Sequence, residues 1–556
     1  MSRSSITICR WSLLPLLVCL CFTLAGPLWA ESNEGITWPE GQLLPHFAKP
    51  AEELHAIAVQ SLTPDEQLTF VALAGQVNRT RPRIWLVQRR SEEGWKTWLE
   101  TCGWKLGKTF NYRDKFDLLA LYSGEVEGLV LYDPSENAHL RNLAATVAGL
   151  RRALPVTPGT LERLREQGID LPVVEDLTKL ELSNAIEVYE HLHEHYWPEC
   201  EQRFLLSARP EGRGGDYHHA RDLAAACGAA AVWLDCRQPD ERKLMKKFLA
   251  DMPTGDAVVL GWYTTERSGV TTATKYGIGT MPADHFMNAT VFAGGDHNVP
   301  VPELPPTPEL ENKLYVSMFY SDGDNIQYVQ HAMRRIWDRT QSVRGRMPLN
   351  WTISPGLVDI APDMLRYYRN TATENDCLVC GPSGMGYLMP VNTLTERGAP
   401  LGTILTSEPR MNAYAKLTSR YLERSGLRVV TIWDNATEMQ RRAYEQHCPT
   451  LLGVTVQNFR DNPFVQSSVE NDRLKFERLA ICYCGSQREF RRSLTRQLER
   501  HDGNEPKFVS YQANIWGELQ PEELVKIADE LKQEHPQLEF VRADHYFQLQ
   551  SAARAK

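Results

Sequence analysis

Short apolar runs alternate with amphipathic segments along the C-terminal half of the chain, and this alternation predicts most of its structure. Each run has the length of a buried strand, and the segments between the runs repeat apolar residues at helical spacing. Eight candidate strands follow one another: 314–319, 349–353, 377–380, 429–433, 451–456, 479–484, 508–513 and 538–542. Such alternation is typical of a (β/α) barrel, regular or irregular, and an open doubly wound sheet is the alternative.

The N-terminal half shows shorter cycles of the same kind, so we predict an α/β protein in which one or two small α/β domains precede the barrel-like domain. A proline-rich segment, 298–308, separates the two halves because proline neither continues a helix nor donates within a sheet. The predicted organisation is a signal peptide at 1–30, an N-terminal α/β domain at 31–197, a second α/β domain at 198–297, a linker at 298–309 and a catalytic barrel-like domain at 310–556.

The first thirty residues have the pattern of a secretory signal peptide. Arg3 and Arg10 supply positive charge, 13–25 is apolar, and Ala30 precedes a polar stretch. An uncleaved anchor is the alternative, although proline interrupts the short apolar core. No later stretch of the sequence is apolar for long enough to span a bilayer. We therefore expect cleavage after Ala30, a secreted or periplasmic location and no stable membrane insertion.

Charge and cysteine content exclude several classes of protein. A net charge of -9 leaves little to neutralise a phosphate backbone, which argues against nucleic acid as the main partner. Twelve cysteines minus three in the leader leave nine, so at least one thiol is unpaired within the molecule. Cys377 and Cys380 lie in a predicted strand and point to opposite faces, which favours buried thiols over a zinc site. We predict no cofactor, and the pattern indicates no particular oligomeric state.

Polar and aromatic residues cluster where the predicted strands end. In both alternative folds, ligands bind at the carboxyl ends of the strands. The candidates at these positions are Asp322, Asp324, Asn325, Trp351, Gly384, Gly386, Tyr387, Trp433, Asp434, Asn514, Trp516 and Asp544. The C–H face of a sugar packs on aromatic rings, and its hydroxyls bind carboxylates and amides. These residues therefore predict a carbohydrate substrate, and the alternative is that the aromatic residues only fill the barrel rim.

Asp322 and Asp434 are the leading candidates for catalysis, because the acid or amide near each of them has a competing structural explanation. Asp324 has a glutamine three residues later at the start of a helical pattern, which is typical of a helix N-cap. Asn435 has a glutamate at the same spacing. Asp324 is therefore either a cap or a site residue, whereas Asp322 and Asp434 have no capping role.

Metal binding is an alternative use of the same acids. Asp322 and Asp324 resemble the start of a calcium loop, but Ile326 stands where an oxygen ligand belongs, which excludes an EF-hand. A divalent cation held by Asp322, Asp324 and His545 would make the protein a metal-dependent carbohydrate deacetylase or another hydrolase. A non-catalytic carbohydrate-binding protein is the third hypothesis.

The stretch GPSGMGYLMP, residues 381–390, resembles the signature of the GxGYxYP glycoside hydrolase family. It matches at Gly384, Gly386, Tyr387 and Pro390, whereas Met389 replaces the second tyrosine. Similar stretches lie at 73–87, 142–158, 258–266 and 321–327, so the likeness spans nearly all of the mature chain. The resemblance implies a glycoside hydrolase with an N-terminal domain and a motif-bearing C-terminal domain. The two glycines allow positive φ, so the loop can turn sharply and present Tyr387.

We therefore predict a secreted glycoside hydrolase that acts on a polysaccharide or glycoconjugate. One carboxylic acid protonates the leaving oxygen while a second carboxylate attacks the anomeric carbon or activates water. Asp322 and Asp434 are the predicted pair, with Asp324, Glu266 and Asp544 as substitutes. Glu266 belongs to the N-terminal half and would reach the site from the neighbouring domain.

Overall fold

Parallel strands and helices build the chain, whose computed structural model describes Met1 and residues 35–88, 96–211, 220–457 and 473–555. Apart from Met1, the predicted signal peptide lies outside the described residues. None of the helices in the described ranges is both long enough and apolar enough to cross a lipid bilayer.

Three small parallel sheets precede the proline-rich segment. The first has the order β2-β1-β3, the second β5-β4-β6 and the third β8-β7-β9-β10. Their strands are β1 (Glu53–Ala58), β2 (Ile84–Val87), β3 (Lys105–Phe110), β4 (Gly128–Leu131), β5 (Ala153–Val156), β6 (Val173–Asp176), β7 (Glu201–Ser207), β8 (Ala229–Val232), β9 (Val258–Gly261) and β10 (Gly279–Met281). The range 31–197 thus contains two separate parallel sheets, and a short antiparallel pair, Ile36–Thr37 with His46–Phe47, precedes them.

A helix buried on nearly all sides, Pro64–Asn78, connects these sheets. Thr63 begins it with a capping box, in which its side chain accepts from the Glu66 amide and the Glu66 carboxylate accepts from the Thr63 amide. Gly75 has no side chain to collide with the backbone of Asp222 on a neighbouring helix. The other α-helices of this half are Lys96–Cys102, Lys115–Leu121, Leu140–Leu150, Pro158–Glu166, Ala185–His195, Arg221–Cys227, Pro239–Asp251, Glu266–Thr274 and Ala289–Phe292.

The C-terminal half forms one parallel sheet with the order β16-β15-β14-β13-β12-β11-β18-β17, and β19 pairs with β11. Its strands are β11 (Leu314–Tyr320), β12 (Leu349–Ile353), β13 (Asp376–Cys380), β14 (Val429–Ile432), β15 (Gly453–Val456), β16 (Lys475–Arg478), β17 (Ile481–Cys484), β18 (Lys507–Ala513) and β19 (Leu538–Phe540). Strands are present at all eight predicted positions: the sixth, predicted at 479–484, corresponds to β17, and β16 is an additional strand just before it.

The sheet curls into an irregular barrel. Only Leu479 and Ala480 separate β16 from β17, and their amides donate to Val456 on one side and to Ser510 on the other. The two ends of the sheet are therefore joined by one continuous segment. The last strand, β19, pairs only with the first half of β11, while β12 pairs with the last two residues of β11. The predicted α/β fold with a barrel-like C-terminal domain is thus confirmed in its irregular form.

Helices connect the barrel strands, as the apolar spacing predicts. They are Ile326–Tyr328, Arg334–Arg339, Leu357–Ile360, Pro362–Asn370, Glu408–Ser425, Glu438–His447, Gln487–Glu499, Pro521–Glu534 and Ala543–Ala555, and a π-helical turn, Val329–Met333, joins the first two. The nine cysteines within the described ranges are free thiols, and Cys377 and Cys380 are buried on β13.

We expect acid to destabilise the second sheet through His139. This side chain contacts the Tyr189 hydroxyl at 3.0 Å, and burial lowers its pKa from 6.5 to about 4. A lowered pKa means that the unfolded state binds the proton more tightly, so the stability is present above pH 6.5 and is lost as the pH falls towards 4. Between pH 8 and pH 5 the loss is about 2 kcal/mol.

The measurement is the free energy of unfolding in urea at the two pH values, for the wild type and for His139→Gln. Glutamine keeps a hydrogen-bonding group beside Tyr189 but does not titrate, so the variant should lose less stability in acid than the wild type. An equal loss in both proteins would assign the acid sensitivity to other groups.

Candidate functional site

A cavity of about 230 Å³ lies where the carboxyl ends of the barrel strands meet the third sheet. Two of its lining residues, Trp262 and Glu266, follow β9, and the others come from the barrel half. The lining residues are Trp262, Glu266, Ser321, Asp322, Asp324, Asn325, Pro382, Tyr387, Trp433, Gln457, Tyr483 and Gln512. Five of the predicted catalytic or substrate-binding residues of the barrel half, together with Glu266, are thus brought to one place.

Asp322 follows the end of β11 in a left-handed backbone conformation, with φ of 75°. Gly323 comes next, and only glycine fits there because a Cβ would lie 1.5 Å from the Thr352 carbonyl oxygen. The Asp322 carboxylate accepts from the Tyr483 hydroxyl at 3.2 Å and from the Trp516 indole. Burial raises the pKa of Asp322, and these two donors lower it by stabilising the charged form.

Asp324 is buried at the same end of the barrel. Burial raises its pKa well above the usual value, and the charges of Asp322 and Glu266 raise it further. The capping interpretation of Asp324 is wrong, because Asn325 precedes the helix and Gln327 donates to Asp284 at 2.7 Å. The same interpretation fails for Asn435, since Thr437 caps the helix that follows.

Glu266 is the first residue of its helix and enters the cavity from the third sheet. Its carboxylate accepts from the Tyr387 hydroxyl at 2.8 Å. Burial raises the pKa of Glu266, while the Tyr387 hydrogen bond and the Arg267 charge lower it. Glu266 and Asp322 therefore lie in one cavity with different hydrogen-bond donors.

The glycine-rich loop after β13 holds Tyr387 against the third sheet. Gly384 and Gly386 have φ of 157° and 82°, in agreement with the predicted positive φ. The Tyr387 amide donates to the Thr280 carbonyl at 2.6 Å, and the Thr280 amide donates back at 3.0 Å. A Cβ on Gly386 would lie 2.9 Å from the backbone of Gly279, so this approach requires glycine. The motif thus docks the barrel on the strand β10 and presents a hydroxyl to Glu266.

Aromatic rings form the walls of the cavity. The rings of Trp262 and Tyr387 are nearly parallel, with centroids 6.5 Å apart. Trp433 meets Tyr387 and Tyr483 edge to face, at 6.0 and 5.8 Å between centroids. Trp516 is 57% exposed and donates to Asp322, and the Asn514 side chain accepts from the Trp516 amide at 2.9 Å. A flat apolar surface is therefore available beside the carboxylates.

Asp434 lies behind this wall and is fully buried. Its carboxylate accepts from Arg267 at 2.8 Å, and from the Thr393 amide and hydroxyl at 2.8 and 2.6 Å. It is not among the residues that line the cavity. The pairing of Asp322 with Asp434 in catalysis stays a prediction, and this geometry gives Asp434 a partner in Arg267 instead.

Two other candidates lie away from the cavity. Trp351 is buried below it, stacks on Tyr320 and donates to Asp376 at 2.9 Å. Asp544 accepts from Arg542 at 2.7 Å and lines a different cavity, of about 480 Å³. Among the described residues, no three or more His, Cys, Asp or Glu side chains are arranged to hold a metal ion, so the set that the deacetylase hypothesis requires is not formed there.

Several lining residues lie outside the positions directly after the barrel strands, so the strand-end rule did not predict them. Tyr483 and Gln512 lie within β17 and β18, one residue before the end of each strand. Side chains that point inward near a strand end reach the same cavity as the residues that follow the strand. The alternation of side chains along a strand identifies these inward positions. Trp262 directly follows β9, so the strand-end rule finds it when applied to the N-terminal half.

Three family models match the chain. They are "GxGYxYP_N second domain" at residues 126–200, "GxGYxYP third domain" at 205–294 and "GxGYxYP putative glycoside hydrolase C-terminal domain" at 312–551. The cavity lies between residues matched by the second and third of these models. No curated protein matches the chain.

One of three solved structures that match the chain has a similar fold. A "putative hydrolase from Bacteroides thetaiotaomicron VPI-5482" is 20% identical, with a TM-score of 0.73 over 94% of this chain and 99% of that chain. A 4-alpha-glucanotransferase from Thermococcus litoralis is 10% identical, with a TM-score of 0.27 over 42% of this chain and 40% of that one. A "putative polysaccharide deacetylase from Mycobacterium smegmatis" is 12% identical, with a TM-score of 0.29 over 46% and 96%. The first likeness concerns the fold alone, and the other two are too weak to support an argument.

Proposed function

Because the chain belongs to the GxGYxYP putative glycoside hydrolase family, we propose that it hydrolyses a glycosidic bond at the cavity that Asp322 and Glu266 line. The observation that carries this proposal is that two carboxyl groups with different hydrogen-bond environments share one aromatic-walled cavity. Glycoside hydrolysis requires one carboxyl group that is charged and one that carries a proton.

Asp322 is the charged member of the pair in this proposal. The Trp516 indole and the Tyr483 hydroxyl both donate to its oxygens, and such donors favour the ionised form. The Asp322 carboxylate then attacks the anomeric carbon or activates the water that does so. Tyr483 and Trp516 act as positioning residues, because they hold the orientation of the carboxylate.

Glu266 is the proton donor. Its raised pKa keeps more of it protonated near neutral pH than an exposed glutamate, so it can protonate the leaving oxygen. The rings of the cavity wall offer faces and edges for the C–H surface of the sugar. The amides of Gln457, Gln512 and Asn325 supply partners for its hydroxyls. The leader pattern at 1–30 supports action outside the cytoplasm, on a polysaccharide or glycoconjugate.

A pH profile with leaving groups of different quality tests the role of Glu266. We expect kcat/KM of the wild type to fall as the pH rises through the raised pKa of Glu266, because the acid loses its proton. Glu266→Gln should lack this fall and lose about 10²- to 10⁴-fold in rate on alkyl glycosides, the range for a general acid. The loss should be smaller on dinitrophenyl glycosides, whose leaving group needs no proton.

The matched control is Glu438→Gln, because Glu438 also begins a helix after a strand but is exposed and pairs with Arg442. This variant should keep the wild-type profile on both substrates. An unchanged pH profile in Glu266→Gln, or an equal loss on the two substrates, would remove Glu266 from the role of acid.

A further inference from the structure

Three carboxyl groups, rather than two, line the candidate active site. Glu266, Asp322 and Asp324 belong to one cavity, and the charges of Asp322 and Glu266 both act on Asp324. Glycoside hydrolysis uses two carboxyl groups. One of the three is therefore available for another task.

The three groups differ in how their charge is compensated. Asp322 accepts from Trp516 and Tyr483, and Glu266 accepts from Tyr387. Asp324 accepts no hydrogen bond from any side chain in the described part of the protein, although it is the most buried of the three. Asp324 is therefore the group that still lacks a side-chain partner.

The cavity itself supplies no cation in the described ranges. Its lining there consists of acids, amides, aromatic residues, a serine and a proline, with no lysine, arginine or histidine. The backbone amides of Asp324 and Asn325 hydrogen-bond to the Asp324 carboxyl, but burial is the larger influence and disfavours its charged form, so a cation from the ligand would stabilise the carboxylate. The arrangement of the described residues does not form a metal site.

An ammonium group on the sugar meets these conditions. It brings one positive charge and three hydrogen-bond donors to a place where carboxyl oxygens are in excess. The rings of Trp262 and Trp433, which line the same cavity, also favour a cation over an anion. An acidic sugar would instead add a fourth negative group to the same cavity.

We propose, building on the hydrolase function proposed above, that the substrate is a glycoside of an amino sugar with a free amino group, whose ammonium binds the carboxylate of Asp324. When the ammonium binds, the Asp324 carboxyl gives any proton that it carries to solvent, so the bound pair is ionic. N-acetylation of the same sugar removes the charge and the ion pair. Asp324 thereby selects the substrate, while Asp322 and Glu266 carry out the hydrolysis.

The test compares nitrophenyl glycosides of glucosamine and galactosamine, in both anomers, with the matching N-acetylated, neutral and uronic acid glycosides on the full-length protein. We expect kcat/KM for the free amino sugar to exceed that for its N-acetylated and neutral counterparts by about 10- to 100-fold, the range for a hydrogen bond to a charged group. The uronide should be the poorest substrate. Equal or better hydrolysis of the neutral or N-acetylated glycosides overturns the inference.

Two variants at Asp324 link the preference to this residue. Asp324→Asn should bring the ratio of amino to neutral substrate close to one, whereas Asp324→Glu should keep a preference for the amino sugar. An unchanged ratio in Asp324→Asn overturns the inference even if the overall rate changes. Calcium or zinc that binds the wild type and competes with glucosamine also overturns it, because the acids would then serve a metal.

Binding separates the failure of this inference from the failure of the proposed function. Calorimetry with glucosamine, glucose and glucuronate reports charge selection without any turnover. Preferential binding of glucosamine without hydrolysis of any glycoside rejects the hydrolase and supports the amino-sugar site. Hydrolysis of neutral glycosides with no preference for glucosamine supports the hydrolase and rejects the amino-sugar site.

Discussion

Asp322→Asn should lower kcat by about 10³-fold or more on every glycoside that the wild type hydrolyses. Asparagine has nearly the same shape and keeps an oxygen that can accept from Tyr483 or Trp516. It carries no negative charge, so it neither attacks the anomeric carbon nor takes a proton from water. Steady-state kinetics with a reactive aryl glycoside measure the loss.

The same substitution should leave the protein as stable as the wild type or more stable. Burial raises the pKa of Asp322, which means that folding disfavours its charged form. The neutral amide removes this cost, as is common for residues that are retained for activity rather than stability. Thermal unfolding of the same sample therefore distinguishes a lost nucleophile or base from a lost fold.

Asp502→Asn is the matched control, because Asp502 is exposed and precedes β18, at the end of that strand away from the cavity. It should change neither kcat nor the unfolding temperature. Full activity in Asp322→Asn would contradict the mechanism. Glycan binding without turnover in the wild type, retained in Asp322→Asn, would favour the non-catalytic binding protein.

The barrel strands were predictable because burial on both faces produces a local pattern in the sequence. Strands covered on both faces read as continuous apolar runs, as in β11, where all seven residues are buried. The irregular closure of the barrel produces no comparable pattern in the sequence. The segment 475–484 pairs with β15 in its first half and with β18 in its second, and no local pattern encodes a change of partner. Pairing over long distances depends on packing of the whole barrel.

The location of the site was predictable from the sequence, but the hydrogen-bond and ion-pair partners of its acidic residues were not. The strand-end rule led to Asp322, Tyr387 and Trp433, because parallel strands all present their carboxyl ends at one edge. Glu266 was also predicted to reach the site from the neighbouring domain, but nothing in the sequence showed that Arg267, the next residue of the same helix, pairs with Asp434. The capping rule failed at Asp324 because the local preference is overridden where the fold buries the side chain at the cavity.

Asp434→Asn should destabilise the protein by about 3–5 kcal/mol, the cost of breaking a buried ion pair by removal of one partner. The Arg267 and Asp434 side chains are 8% and 0% exposed, and their nearest nitrogen and oxygen lie 2.8 Å apart. The variant leaves the Arg267 charge buried beside an amide, and the two Thr393 donors lose a charged acceptor. Urea unfolding of the wild type and the variant measures the loss.

The matched control breaks an ion pair at the surface. Arg346 and Asp529 lie 2.6 Å apart, but their side chains are 57% and 44% exposed, so solvent screens the interaction. Asp529→Asn should therefore cost only about 0–1 kcal/mol in the same urea experiment. Equal losses in the two variants would mean that burial adds nothing to the pair of Arg267 with Asp434.

The kinetics of Asp434→Asn decide whether Asp434 is a catalytic residue or a residue that supports the site. Arg267 follows Glu266 on the same helix and also donates to Asn392 at 2.6 Å, so the ion pair fixes the start of the helix that carries Glu266, the proposed proton donor. Loss of the pair should disturb the position of Glu266 and lower kcat of the folded protein far less than Asp322→Asn does. A 10³-fold loss of kcat with unchanged stability, on the order expected for a catalytic carboxylate, would instead restore Asp434 as the catalytic partner of Asp322. A large loss of stability with most of the activity retained assigns Asp434 to the support of the site.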